Sequence, residues 1–155
     1  MDRPFRESLD RLHAKTTTGG DGRTHDFLAH LWCRSPTMTE HEHFLAWVRE
    51  ASPYIKRVSA ATGTLSALGS SKDHGAICDA AGDLIYEIDA TARCVSQPED
   101  PNAVRWWNEW LTLMRASGEA TIRAVKTTHD LGQAGRLSRE ATKRMHELVE
   151  MTKER

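Results

Sequence analysis

Nothing in this sequence alternates. No stretch of useful length sets apolar and polar residues at every second position, which excludes half-buried β-strands and hence a sheet. No internal repeat of solenoid period occurs either. Long hydrophobic runs are missing too: none approaches the roughly 18 apolar residues that a membrane span requires, and the start, Met1 to Arg6, lacks the apolar core of a secretory signal. The three cysteines, Cys33, Cys78 and Cys94, are an odd number at wide spacings with no CxxC pair, so neither a disulfide framework nor a zinc ribbon is expected. They read as free thiols, and a cytoplasmic location is expected.

Charge of one sign is lacking as well. Lys and Arg number 21 against 22 Asp and Glu, a formal net charge of −1, so the chain has no overall attraction for nucleic acid or an acidic membrane surface. No glycine-rich phosphate loop and no serine or cysteine nucleophile motif is present. Catalytic residues, metal ligands and cofactors are therefore not assigned, and neither a membrane nor nucleic acid is favoured as a partner.

What is present is helical periodicity. Thr39-Glu40-His41-Glu42 is a capping box, in which the threonine and the glutamate three residues later satisfy each other's backbone donors. Phe44, Val48, Ala51, Ile55, Val58, Thr62, Leu65 and Gly69 then follow in alternating steps of four and three, widened on one side by Trp47, Tyr54, Ala61 and Leu68. Pro53 predicts a kink there, or a break with Ser52 capping a fresh helix. After the turn residues Gly69 to Asp73, a second seam runs through Ile77, Ala81, Leu84, Ile88, Thr91 and Val95. Asp100-Pro101 supplies an N-cap and a proline at the first helical position. A third seam follows through Val104, Trp107, Leu111, Met114, Gly118, Thr121 and Val125. Gly132 and Gly135 predict a break, with Ser138 capping a last helix that turns Ala141, Met145, Leu148 and Thr152 inward.

Long helices with short connections predict an all-α, antiparallel up-and-down bundle of about four helices over residues 37–155. Residues 1–36 predict an N-terminal arm: Phe5, Leu9 and Leu12 at helical spacing, a Thr/Gly linker from Thr16 to Gly22, then a short helix carrying Phe27, Leu28, Leu31 and Trp32.

Several constellations invite a functional reading. Trp106, Trp107 and Trp110, with Leu111, Leu113 and Met114, cover about half of a helix circumference at 100° per residue. Aromatics give large contact area at low entropic cost, so these residues, with Trp47 and Tyr54, are the candidate partner- or ligand-binding residues; burial of Trp106 and Trp110 under the arm is the plainer alternative. Asp26, His30 and Cys33 share a helix face at metal-ligand spacing, but that face lies opposite the apolar one and reads as solvated. Asp79, Asp83 and Glu87 form an acidic stripe of the same solvated kind. Residues 72–102 carry seven acidic side chains against Lys72 and Arg93, whereas residues 103–155 carry ten basic against seven acidic, an asymmetry that attraction within the bundle or between two copies explains. Leu131 to Arg144 resembles a helix-turn-helix in outline, with Arg136, Arg139 and Lys143 early in its second helix, but the helix before it is too long for a compact DNA-binding motif.

The function expected is that of a non-catalytic interaction protein that associates with itself or with another protein. The stripes on the first and third long helices are wider than a thin bundle needs. A small-molecule-binding or regulatory bundle, with an apolar cavity between Trp47, Tyr54, Trp107 and Trp110, is the alternative, and a DNA-binding regulator stands behind both.

Overall fold

In the computed structural model, residues 38–153 are described, and they form four α-helices: α1 (Glu40–Leu68), α2 (His74–Cys94), α3 (Pro101–Lys126) and α4 (Gly132–Met151). The expected N-terminal arm, with Asp26, His30 and Cys33, lies outside the described residues. No strand occurs among those described, and none of their helices is long and apolar enough to cross a membrane.

The starts of the first three helices are written in their caps. The Glu42 amide donates to Thr39 Oγ1 at 3.2 Å, and the Thr39 amide donates to Glu42 Oε2 at 2.7 Å, closing the capping box. Asp73 Oδ1 accepts from the Ala76 amide at 3.0 Å. Asp100 Oδ1 accepts from the amides of Asn102 and Ala103 at 2.8 and 3.1 Å, with Pro101 at the first helical position, where its missing N–H costs nothing.

Two expected boundaries are corrected. Of the two outcomes expected at Pro53, a kink or a break, the break does not occur: α1 runs through it for 29 residues, about 43 Å at 1.5 Å per residue, and Ser52 starts no fresh helix. Pro53 and Arg49, whose carbonyl loses its donor, both lie exposed, so water can take the place of the missing bond. Gly132 and Gly135 do not break the chain before α4; they form its first turn. Asp130 Oδ1 accepts from the Gly132 amide at 2.8 Å, and the Gly135 amide donates to the Leu131 carbonyl at 3.0 Å, so the helix begins without help from Ser138.

Neighbouring helices run antiparallel. Trp47, early in α1, donates its indole Nε1 to the carbonyl of Ser96, just past the end of α2, at 2.8 Å. Ser117, late in α3, donates to the carbonyl of Ala134 in the first turn of α4 at 3.0 Å, whereas Glu109, early in α3, meets Arg144, late in α4, at 2.6 Å. The result is an all-α four-helix bundle with a core led by Trp107, Leu84, Ile88 and Val58. The α2 seam matches its expected residues in full, since Ile77, Ala81, Leu84, Ile88, Thr91 and Val95 are all buried. On α1 the buried line is Phe44, Trp47, Ala51 and Val58, while Val48, Ile55 and Leu65 stay half-buried.

Candidate functional site

Part of the half-buried line on α1, Ile55 and Leu65, lies along the seam with α4. Helices α1 and α2 are tied by the Trp47 bond and by Glu50, whose carboxylate accepts from the Ser96 amide and hydroxyl at 2.8 and 3.1 Å. Helices α2 and α3 approach closely at Gly118, where an added Cβ would lie 2.8 Å from Ile85 Cγ1 and 3.3 Å from the Ala81 carbonyl oxygen. Helix α4 is bound to α3 by the Ser117 bond and by Arg144. A closed four-helix bundle also needs α1 to pack on α4. Here no Cα of α1 comes within 8 Å of one in α4.

A groove follows that seam in two stretches of about 320 and 310 Å³. Trp110 and Met114 floor one stretch; Ile77, Leu84 and Ala134 lie in the other. The walls are Ile55, Ser59, Thr62 and Ser66 on α1, and Ser138, Thr142, Met145 and Val149 on α4. Ser59, Thr62 and Ser66 on one wall and Ser138 and Thr142 on the other are small, set beside the larger Ile55, Met145 and Val149. Thr62 and Thr142 spend their hydroxyl donors on carbonyls of their own helices, Val58 at 2.8 Å and Ser138 at 3.0 Å. Residues 58–71 of α1 and its exit carry no charged side chain. Val149 at the rim is 44% exposed, large for an aliphatic residue in a bundle.

The five aromatic candidates separate. Trp47, Trp107 and Trp110 are buried, at 7%, 1% and 4% exposure. With Phe44 they form a continuous stack: Phe44 to Trp47 at 5.6 Å between ring centres, Trp47 to Trp107 edge-on at 5.1 Å, Trp107 to Trp110 at 5.1 Å and nearly parallel. Such offset and edge-to-face pairs add to the burial of their area. Trp106 and Tyr54 are half-buried outside that stack, each under an arginine, Arg105 at 5.8 Å and Arg57 at 4.5 Å. The wide stripe on α3 is therefore mainly core, and of the five aromatics only Trp110 lines the groove at the seam. Trp47, Trp107 and Trp110 thus pack on one another and not around a common cavity, and Tyr54 stands apart from them.

Charges border the groove on the α4 side. Arg139, Lys143, His146 and Glu150 follow one another in steps of four, three and four. Lys153 lies 2.7 Å from Glu150 and holds its carboxyl below the ordinary value; Lys143, 3.1 Å from Glu140, does the same there. Arg139 joins no ion pair among the described residues. On the far side of the bundle Asp79 and Asp83 are exposed, and Glu87 is half-buried 3.9 Å from Arg57. Among the described residues no three His, Cys, Asp or Glu side chains gather to hold a metal. His43 lies 4.0 Å from Glu99, and His74 stacks on His129 at 4.6 Å, each a pair without a third ligand.

Compared with models of known protein families, with curated proteins and with solved structures, the chain matches none. The site is thus defined by its chemistry alone: a shallow apolar groove, walled by small residues, with a charged rim on one side. Its signal in the sequence is the uncharged run from Val58 to Ser71, which carries no aromatic residue.

Proposed function

We propose that this protein is a non-catalytic interaction module that self-associates through the seam between α1 and α4. The observation that carries the proposal is the spacing of those helices, which leaves Ile55, Thr62 and Met145 half-buried and Val149 exposed along the seam above the buried Trp110 and Met114. A helix laid along such a groove buries apolar surface that is otherwise wetted, and the small residues of the walls permit close backbone approach. The lining combines apolar side chains with serine and threonine, and Arg139 and His146 are its charged or titratable members.

Sedimentation velocity over a broad concentration range tests it. The wild-type chain forms a dimer as concentration rises. Thr142→Trp and Ser59→Trp, which fill the groove from opposite walls, weaken the dimer about tenfold or more while thermal unfolding shows the bundle intact. Asp83→Lys, at an exposed position in the cleft between α1 and α2, leaves it unchanged. A wild-type monomer at every concentration, or a loss with Asp83→Lys equal to that with Thr142→Trp, contradicts the proposal.

A further inference from the structure

Arg139 stands at one end of the groove as an exposed arginine without a carboxylate. It lines the stretch of about 310 Å³ and joins no ion pair among the described residues. Among those residues, neither stretch of the groove is lined by an aspartate or a glutamate. A Cβ added at Gly135 would lie 3.4 Å from Arg139 Nη1, so the guanidinium folds back toward the first turn of α4, where the positive end of the helix dipole reinforces its charge. Such a position suits an anion.

The lining beyond Arg139 offers little to a polar ligand. Ser117 gives its hydroxyl to the Ala134 carbonyl at 3.0 Å and Thr121 to the Ser117 carbonyl at 2.9 Å, and Thr62 and Thr142 are likewise spent on their own helices. Helical walls present no sheet edge that a peptide strand could join. What remains open to water is largely aliphatic: Ile55, Leu65, Leu131 and Met145 are half-buried and Val149 is exposed. Thr62 and Ser138 line both stretches, so they adjoin, and from Arg139 to Val149 the path along α4 is about 15 Å at 1.5 Å per residue.

We infer that this groove takes a single-chain carboxylate of the fatty-acid kind, its head on the Arg139 guanidinium and its alkyl tail laid along the seam toward Val149. The carboxylate gives Arg139 the charge-assisted partner it lacks in the chain alone and sets the direction of the ligand. The tail covers the half-buried aliphatic side chains of both walls and supplies the adhesion. Ligand and second copy exclude each other at the seam, so the carboxylate turns dimer into monomer. That consequence, unlike the site, rests on the self-association proposed above.

Isothermal titration with dodecanoate below its micelle concentration tests the site. The wild-type chain binds one molecule. Arg139→Gln weakens binding about tenfold, and Thr142→Trp, which fills the tail path, does so at least as much. Arg93→Gln, which removes the same charge from an exposed position late in α2, leaves it unchanged. Dodecyltrimethylammonium, with the same tail and the opposite charge, binds at least tenfold more weakly. Circular dichroism checks that each variant keeps its helices. No binding up to millimolar dodecanoate, equal affinity for the cationic probe, or affinity indifferent to Arg139→Gln or to Thr142→Trp overturns the site. Sedimentation velocity with and without dodecanoate reads the competition. A wild-type dimer that dodecanoate binds without dissociating overturns the competition. A dimer that binds no dodecanoate removes the site and leaves the self-association, whereas a chain that binds dodecanoate and never dimerises leaves the site and removes the self-association.

Discussion

The indole of Trp47 meets that of Trp107 edge-on, ring centres 5.1 Å apart and planes at 90°, so that α1 and α3 touch through the bundle axis although their backbones do not. This contact joins α1 to α3 within the core of the bundle. Trp107→Ala removes its centre and is expected to cost about 3–5 kcal/mol, near the limit of what a domain of this size can lose. Trp47→Phe keeps most of the ring stack but leaves the Ser96 carbonyl without its indole donor, and a smaller loss of about 1–3 kcal/mol is expected. Urea unfolding of both variants measures the difference, and an equal loss would show that the hydrogen bond and not the stack dominates.

Two glycines in mid-helix should respond in opposite directions to the same change. Gly118→Ala drives a methyl into Ile85 and the Ala81 carbonyl, so the gain in helix propensity is outweighed by a forced shift of α2 from α3 and a net loss of about 1–3 kcal/mol is expected. At Gly63 an added Cβ meets nothing within 4 Å, and Gly63→Ala should stabilise by about 0.5–1 kcal/mol. Thermal midpoints that move the same way contradict the close α2–α3 approach.

The capping box gives α1 a dependence on pH. The Thr39 amide, and then the Thr39 hydroxyl, hold the Glu42 carboxyl below the ordinary carboxylate value of 4.5. A carboxyl whose pKa is depressed in the folded chain contributes stability above its unfolded value, and that contribution is lost as pH falls through the lowered folded value. Glu42→Gln should therefore flatten the fall in stability below about pH 4.5 without steepening anything near neutrality. Thr39→Ala, which removes the cap itself, should cost about 1 kcal/mol at pH 7. Unfolding curves at pH 3 to 7 read both effects, and an unchanged acid limb in Glu42→Gln counts against the box.

Ser117 links α3 to α4 by a buried bond to the Ala134 carbonyl. Ser117→Ala leaves that carbonyl with one partner fewer and is expected to cost about 1–2 kcal/mol. Hydrogen exchange should show the first turns of α4 opening sooner while α1 and α2 keep their protection; uniform loss of protection would mean that α4 does not move as a separate unit.

Much of this architecture is legible in the residues. The seam from Ile77 to Val95 reads directly as a helix face because every step is a four or a three and no proline or glycine cap intrudes. Asp100-Pro101 and the Thr39 box are equally plain, since a cap is a local contract between neighbours in sequence. A break at Pro53 and a break at Gly132 were both expected and do not occur, because their usual consequence depends on surroundings: an exposed carbonyl is served by water, and an aspartate two residues earlier can start a helix at glycine. The tryptophans around Trp107 misled for a different reason. Periodicity gives the width of an apolar stripe but not the size of what it packs against, and three large rings stacked together fill more core than an aliphatic seam would. The open seam between α1 and α4 was the least legible, because it depends on the separation of two helices remote in sequence; its local sign, the uncharged run with Ser59, Thr62 and Ser66, says only that no charged side chain lies along that part of α1.

Amide chemical shifts followed by heteronuclear NMR through a dilution series test the central claim most directly. Interaction through the α1/α4 seam predicts concentration-dependent shifts confined to residues 55–66 of α1 and 135–150 of α4, with the exposed Asp79 of α2 silent. Shifts that gather on α2, or none at all up to millimolar concentration, would contradict it.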